Sequence, residues 1–171
     1  SVASSPGSKH SSGDLLEQAE VVIDKEYADS EPLRAEMLVT VGKQYMSSEN
    51  FAKATPVLER AAEIAGRSHD PALQARALCP LAILRMATGD QEEANALMDR
   101  ALRVLPDDSL HAMQRAECLI DRGRFGYFTD QAEPMKRDGA AALALLDTIP
   151  TPATSKRIEA QGVMAYGHYL A

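Results

Sequence analysis

Ala54-Thr55-Pro56-Val57-Leu58-Glu59-Arg60-Ala61 and, 40 residues later, Ala94-Asn95-Ala96-Leu97-Met98-Asp99-Arg100-Ala101 place small, large and small apolar side chains at one spacing. Positions four and seven apart share a helix face, and the small members let a neighbouring helix approach closely. A second helical stripe precedes each copy: Leu38, Val41, Gly42 and Tyr45 before the first, Leu78, Leu81, Ala82 and Arg85 before the second. Each unit is therefore a pair of helices. A pair of that size cannot bury its own apolar stripe, so units must stack on one another.

The boundaries follow from local chemistry. Asp14 with Glu17 three residues later resembles a capping box, and Leu15, Leu16, Ala19, Val22 and Ile23 form the stripe of a first helix ending near Tyr27. Glu31-Pro32 starts a second helix, 33–47, because proline suits the first helical turn and its ring restricts the residue before it. The polar turn Ser48-Glu49-Asn50 leads to a third, 51–65, with Gly66 as a left-handed cap. The same logic gives helices over 71–87, 91–105, 109–122 (capped by Asp107 and Asp108), 131–146 and 154–171, about eight in all. Pro56 and Pro80 fall inside two of these and predict kinks, since the apolar stripe keeps its phase on both sides of each.

Composition narrows the function classes. The 171 residues are 45% hydrophobic and lack Trp, enough for a real core rich in Ala. With 18 basic and 25 acidic side chains the net charge is −7, which disfavours a phosphate backbone as partner, so no nucleic acid is expected. No apolar run reaches the roughly 20 residues of a membrane span, so no membrane insertion by this segment is expected. Ser1 to Gly13 hold scarcely an apolar side chain and read as a disordered linker or expression remnant before a domain over 14–171. Cys79 and Cys118 lie in helical stretches. So low a count gives no disulfide framework, each reads as a small buried hydrophobe, and their meeting in space is the alternative. A reducing, cytoplasmic setting is the default, with the periplasm open if a parent protein is membrane-anchored.

Chemistry-bearing constellations are sparse. His10, His69, His111 and His168 are scattered with no second ligand at helical spacing, so no metal, cofactor or catalytic residue is assigned. Gly123-Arg124-Phe125-Gly126 superficially matches the loop of a KH module, but that fold needs strands, and the segment reads better as a helix-ending turn. Phe125, Tyr127 and Phe128 crowd three of the eight aromatic side chains beside Arg122 and Arg124, leaving a small ligand contact open there.

Leu38-x-x-Val41-Gly42-x-x-Tyr45 followed by Ala54-x-x-x-Leu58-x-x-Ala61 resembles the tetratricopeptide repeat, with Leu38 where a tryptophan often sits. The second copy keeps the pattern through Pro106 but has Arg85 in place of the aromatic residue. The period of 40 exceeds the usual 34 and is similar to the longer repeats of kinesin-light-chain-like arrays. The resemblance implies an all-α, right-handed helical-repeat solenoid whose first helices line a concave, partner-binding groove. It nominates Glu36, Val39, Lys43 and Met46 on the second helix, Arg76, Cys79, Ile83 and Met86 on the fourth, and Gln114, Glu117, Asp121 and Arg124 on the sixth. Lys43 and Arg76 are the expected holders of a carboxylate or phosphorylated segment, and the Met side chains suit adaptable peptide contacts.

The wording Tyr27-Ala28-Asp29-Ser30-Glu31-Pro32-Leu33-Arg34-Ala35-Glu36-Met37-Leu38, with Ala54 to Ala61, is similar to repeat arrays behind the catalytic domain of bacterial eukaryotic-like serine/threonine kinases. The kinase motifs themselves do not occur in these residues. The expectation is a non-catalytic scaffold that binds a protein or peptide, a docking or regulatory part of a larger signalling protein. The alternative is a small-molecule sensor or enzyme domain with its pocket in the irregular region 123–134. The last helix carries Ile158, Val163, Met164 and Leu170 with no following helix to cover them. That stripe suggests either a missing partner helix, a terminal cap, or a homodimer formed through it.

Overall fold

The computed structural model describes residues 12–150 and 153–171; most of the linker expected at the N-terminus lies outside them. The described residues are helical throughout, without a strand: α1 (Ser12–Glu26), α2 (Glu31–Ser47), α3 (Phe51–Gly66), α4 (Pro71–Ala87), α5 (Gln91–Val104), α6 (Ala112–Gly123), the single turn α7 (Gly126–Thr129), α8 (Ala132–Asp147) and α9 (Thr154–Leu170). Helices adjacent in the chain pack as pairs: α2 with α3, α4 with α5, α6 with α8, and α8 with α9. Between pairs, α2 touches α4, α4 touches α6, and α6 touches α9.

The period of 40 is visible in the elements themselves. The 17-residue helices α2 and α4 begin at Glu31 and Pro71, while α3 and α5 begin at Phe51 and Gln91. Even the turns repeat. Asn50 accepts from the Lys53 amide at 3.3 Å and Asp90 from the Glu93 amide at 3.1 Å, each side chain satisfying a free amide at a helix start.

Three core clusters follow one another along the chain. The first joins α1 to α4 around Leu38, Tyr45, Leu58 and Leu73; the second joins α4, α5 and α6 around Met98 and Phe125; the third joins α6, α8 and α9 around Ile120, Met135 and Val163. Helix α4 serves two of them, giving Leu73, Ala77, Leu81 and Leu84 to the first and Leu78, Ala82 and Met86 to the second. The small residues do what their size allows. A Cβ on Gly42 would run into the side chain of Leu58, and one on Gly123 would come 2.6 Å from Val163, so both glycines mark close helix approaches.

Several local expectations change. Helix α1 begins at Ser12, which puts Asp14 in its first turn rather than at its cap. Gly66 is the last residue of α3 and the cap is Arg67 at φ −84°, in the right-handed region; the left-handed residues are Glu49, Gly89 and Asp130. Helix α6 begins at Ala112 instead of 109; in the turn ahead of it Asp108 accepts from the His111 backbone amide at 2.9 Å and pairs with Nδ1 at 2.7 Å. Helices α3 and α4 continue through Pro56 and Pro80. Arg85, which takes the place of an aromatic residue, ties its helix electrostatically: it pairs with Glu59 on α3 and, at 2.7 Å, with Glu93 on α5. Its counterpart Tyr45 donates to Glu20 on α1 at 3.0 Å, and burial with that carboxylate pushes the phenol up to about 12.

Candidate binding groove

Side chains that point from α2, α4 and α6 away from their paired helices meet in an open concavity of about 350 Å³. It is lined by Glu36, Val39, Thr40 and Lys43 from α2, Ala75, Arg76, Cys79 and Pro80 from α4, and Gln114, Glu117, Cys118 and Asp121 from α6. A second concavity of about 250 Å³ shares Lys43, Pro80, Glu117 and Asp121 with the first and runs on over Met46, Ser47, Ile83, Ile120 and Arg124 to Lys156 and Glu159 of α9. The two share these residues and form one groove that runs from α2, α4 and α6 on to α9.

Eleven of the twelve nominated residues line it: Glu36, Val39, Lys43, Met46, Arg76, Cys79, Ile83, Gln114, Glu117, Asp121 and Arg124. Met86 does not. It is 4% exposed, packs in the second core cluster, and lies on the far side of α4 beside Phe125, because the α6–α7 turn folds over the last turn of α4. Thr40, Ser47, Ala75, Pro80, Cys118, Ile120, Lys156 and Glu159 were not foreseen as lining. Lys156 had a signal: two further steps of 40 from Arg76 land on it.

The floor is covalent. Cys79 and Cys118 form a disulfide between α4 and α6, with Cα atoms 6.0 Å apart, and both are almost fully buried. The reading of each cysteine as a separate hydrophobe is thereby corrected: the stripe that brings α4 against α6 places the two thiols within bonding reach.

The charges of the groove are nearly all engaged with one another. Arg76 donates to Glu36 at 2.7 Å, which ties α2 to α4 and occupies one of the two cations expected to receive an anion. Arg124 bridges Asp121 at 3.0 Å and Glu159 at 2.7 Å, and Lys156 reaches Glu159 at 3.2 Å and Glu117 at 3.6 Å. The Glu159 carboxyl is held below its usual range: burial works against the anion, and hydrogen bonds and charge from Lys156 and Arg124 outweigh it. Asp121 goes the other way. Burial pushes it up to about 6 against the opposing pull of Arg124, Lys156 and Lys43. Lys43 is exposed and makes no ion pair within 4.0 Å among the described residues.

The irregular region 123–134 borders a small recess of about 150 Å³. Its one carboxylate, Asp138, is 1% exposed and already bound by two guanidiniums, Arg122 at 2.7 Å and Arg137 at 2.8 Å. Phe125 is buried, while Tyr127 and Phe128 are exposed, and Tyr127 packs at a tilt against Tyr166 of α9 with ring centroids 4.8 Å apart. Of the α9 stripe, Val163 is buried against Gly123 and α8, Met164 and Leu170 are partly covered, and Ile158 stays open, so the stripe expected to be bare is largely covered within the chain.

No protein-family model matches the chain, and no curated protein matches it. No helix among the described residues is long and apolar enough to cross a membrane.

Proposed function

We propose that the chain is a non-catalytic scaffold of tetratricopeptide-like repeats, stacked as a right-handed solenoid, whose concave face binds an extended segment of a partner protein. The observation that carries this reading is the convergence of α2, α4, α6 and α9, every second long helix, on one continuous groove. A groove of this kind offers what peptide recognition needs: apolar floor positions at Val39, Met46, Ile83 and Ile120 between walls of charged side chains. The recess near 123–134 offers less to the sensor or enzyme alternative, since its buried carboxylate is spent on Arg122 and Arg137.

A place as the docking segment of a bacterial serine/threonine kinase or similar signalling protein is supported by the phrasing of 27–38 and 54–61 alone. The Cys79–Cys118 bond favours an oxidising compartment, the periplasmic side of the earlier alternative, because cytosolic thiols are kept reduced.

Photo-cross-linking tests the scaffold reading. A photoreactive residue replacing Thr40, inside the groove, is expected to trap discrete protein adducts from the source cell, and one replacing Ala96, on the outer face of α5, is not. Equal labelling from both positions, or from Ala96 alone, would remove the groove as the binding face.

A further inference from the structure

We infer that the Cys79–Cys118 bond is a redox latch: closed, it holds α6 against α4, and opened by a dithiol reductant it frees the unit of α6 to α9 to swing away from the first two helix pairs. On the groove reading above, the same event disables the binding face.

The two seams between units are built differently. At the first, α4 sends Leu73, Ala77, Leu81 and Leu84 into the cluster it shares with α2 and α3, and Arg76 donates to Glu36 across the same seam at 2.7 Å. At the second, Cys118 is the one buried residue of α6 in the cluster of α4 and α5, joined by Phe125 from the turn that follows. Ala116, Leu119 and Ile120 belong instead to the cluster with α8 and α9. Among the described residues no hydrogen bond or ion pair joins α4 to α6, so at this seam the disulfide stands where the first has apolar packing and a charge pair.

The polar ties that remain are gathered at one corner. Arg115, in the first turn of α6, donates to the carbonyls of Leu102 and Leu105 at the end of α5, at 3.2 and 3.0 Å. Farther along, Arg122 stands 3.6 Å from the exposed Asp99, a pair of the kind that contributes little. With the bond open, the α5–α6 corner is therefore the pivot. The groove straddles this seam: Gln114, Glu117 and Asp121 move with α6, and Lys156 and Glu159 of α9 move with them, while Lys43 and Arg76 stay behind.

The chemistry is ordinary exchange. A thiolate of the reductant attacks one sulfur and displaces the other, which takes a proton; its second thiol then closes the reductant's own disulfide and releases the first sulfur. Two electrons and two protons thus pass to Cys79 and Cys118. Both cysteines line the first concavity, so a groove occupant lies over the bond as well as depending on it.

Fluorescence energy transfer on the full chain tests the latch. One pair of dyes, coupled through azide-bearing residues, replaces the exposed Gln44 of α2 and Gln161 of α9; a control pair replaces Gln44 and the exposed Ala96 of α5. Adding dithiothreitol without denaturant is expected to broaden and lengthen the first distance, reversibly on reoxidation, and to leave the second unchanged. No change in the first pair would overturn the latch, and so would a change in both, which would make the bond a staple of the whole fold. A peptide whose binding is abolished by Thr40→Trp, which fills the first concavity, should bind the reduced chain about tenfold more weakly. By reciprocity it should move the reduction potential about 30 mV more negative. Equal affinity for both forms would overturn the link between latch and groove. Failure to find any such peptide would strike the groove reading, and the dye distances alone would then decide the latch.

Discussion

Glu49 and Gly89 hold the same backbone position in two turns 40 residues apart, each in the left-handed region, at φ 57° and 92°. In both, the next residue donates its amide to the carbonyl five before it, Asn50 to Tyr45 and Asp90 to Arg85, both at 2.9 Å. The geometry is one turn written with two residues, and only one of them suits it. A non-glycine side chain in this region costs about 1 kcal/mol or more, slightly above what a flexible glycine loses in the unfolded chain. Glu49→Gly is therefore expected to stabilise the fold by about 0.5 kcal/mol and Gly89→Ala to destabilise it by about as much, as read from urea unfolding. A loss on Glu49→Gly would mean that its side chain holds the turn.

Gly42 faces Leu58 so closely that a methyl group has no room, while the corresponding positions of the next pair are Ala82 and Met98. The second pair has gained a methyl on one helix and replaced branched Leu by unbranched Met on the other. Gly42→Ala alone should cost about 1–3 kcal/mol through overpacking, despite the better helix propensity of Ala. Adding Leu58→Met should recover part of the loss. Thermal melting of the two variants would show it, and a single variant as stable as the parent would contradict the close approach.

How much of this was legible differs by level. The helices and the period of 40 were readable because stripes, turn residues and prolines act locally: α4, for instance, runs over 71–87 as its sequence indicates. Most of the groove followed from the resemblance to tetratricopeptide repeats, which nominates residues one step off each packing stripe of the first helices. What escaped depended on contacts between units. Met86 has the same spacing as its groove neighbours, and only the fold of Phe125 over it buries it. The start of α6 moved from 109 to 112, with Asp108 accepting the His111 amide in the turn ahead of the helix. The pairing of Cys79 with Cys118, 39 residues apart, needed the crossing of α4 and α6, which no local pattern encodes.

Two aspartates, Asp138 buried and Asp121 partly exposed, should tilt stability with pH in opposite directions. Asp121 has its folded value raised to about 6, so the folded state holds a proton more tightly than the unfolded one. Its contribution is most favourable below about pH 4 and is lost as pH rises toward 6. Asp138 has its folded value lowered: burial opposes the anion, but hydrogen bonds and charge from Arg122 and Arg137 win. Its contribution is present above the ordinary carboxylate range and is lost as pH falls through the folded value. Asp121→Asn should therefore stabilise the protein by about 1–2 kcal/mol at pH 7 and by little at pH 4. Asp138→Asn should cost about 3 kcal/mol at pH 7, by removing the buried carboxylate that pairs with both Arg122 and Arg137. Unfolding curves of both variants at the two pH values check the signs.

The disulfide closes a 39-residue separation, and loop-closure entropy at that length is worth about 4 kcal/mol, with measured bridges commonly nearer 2–4 kcal/mol. Cys79→Ser with Cys118→Ser should lower the stability by an amount in that range, and reduction of the parent should match it. Thiol labelling of the denatured, unreduced chain should find no free cysteine. Two free thiols per chain, with the stability unchanged by reductant, would show that the bond does not form.

Hydrogen exchange with and without a peptide selected from a random phage-displayed library for binding that Thr40→Trp abolishes tests the central claim most directly. The account predicts slowed exchange in segments 36–46, 76–83, 114–124 and 156–159, the groove stretches of α2, α4, α6 and α9, with α3, α5 and α8 unchanged. Protection concentrated on α3, α5 or α8 would contradict a concave binding face built from every second helix.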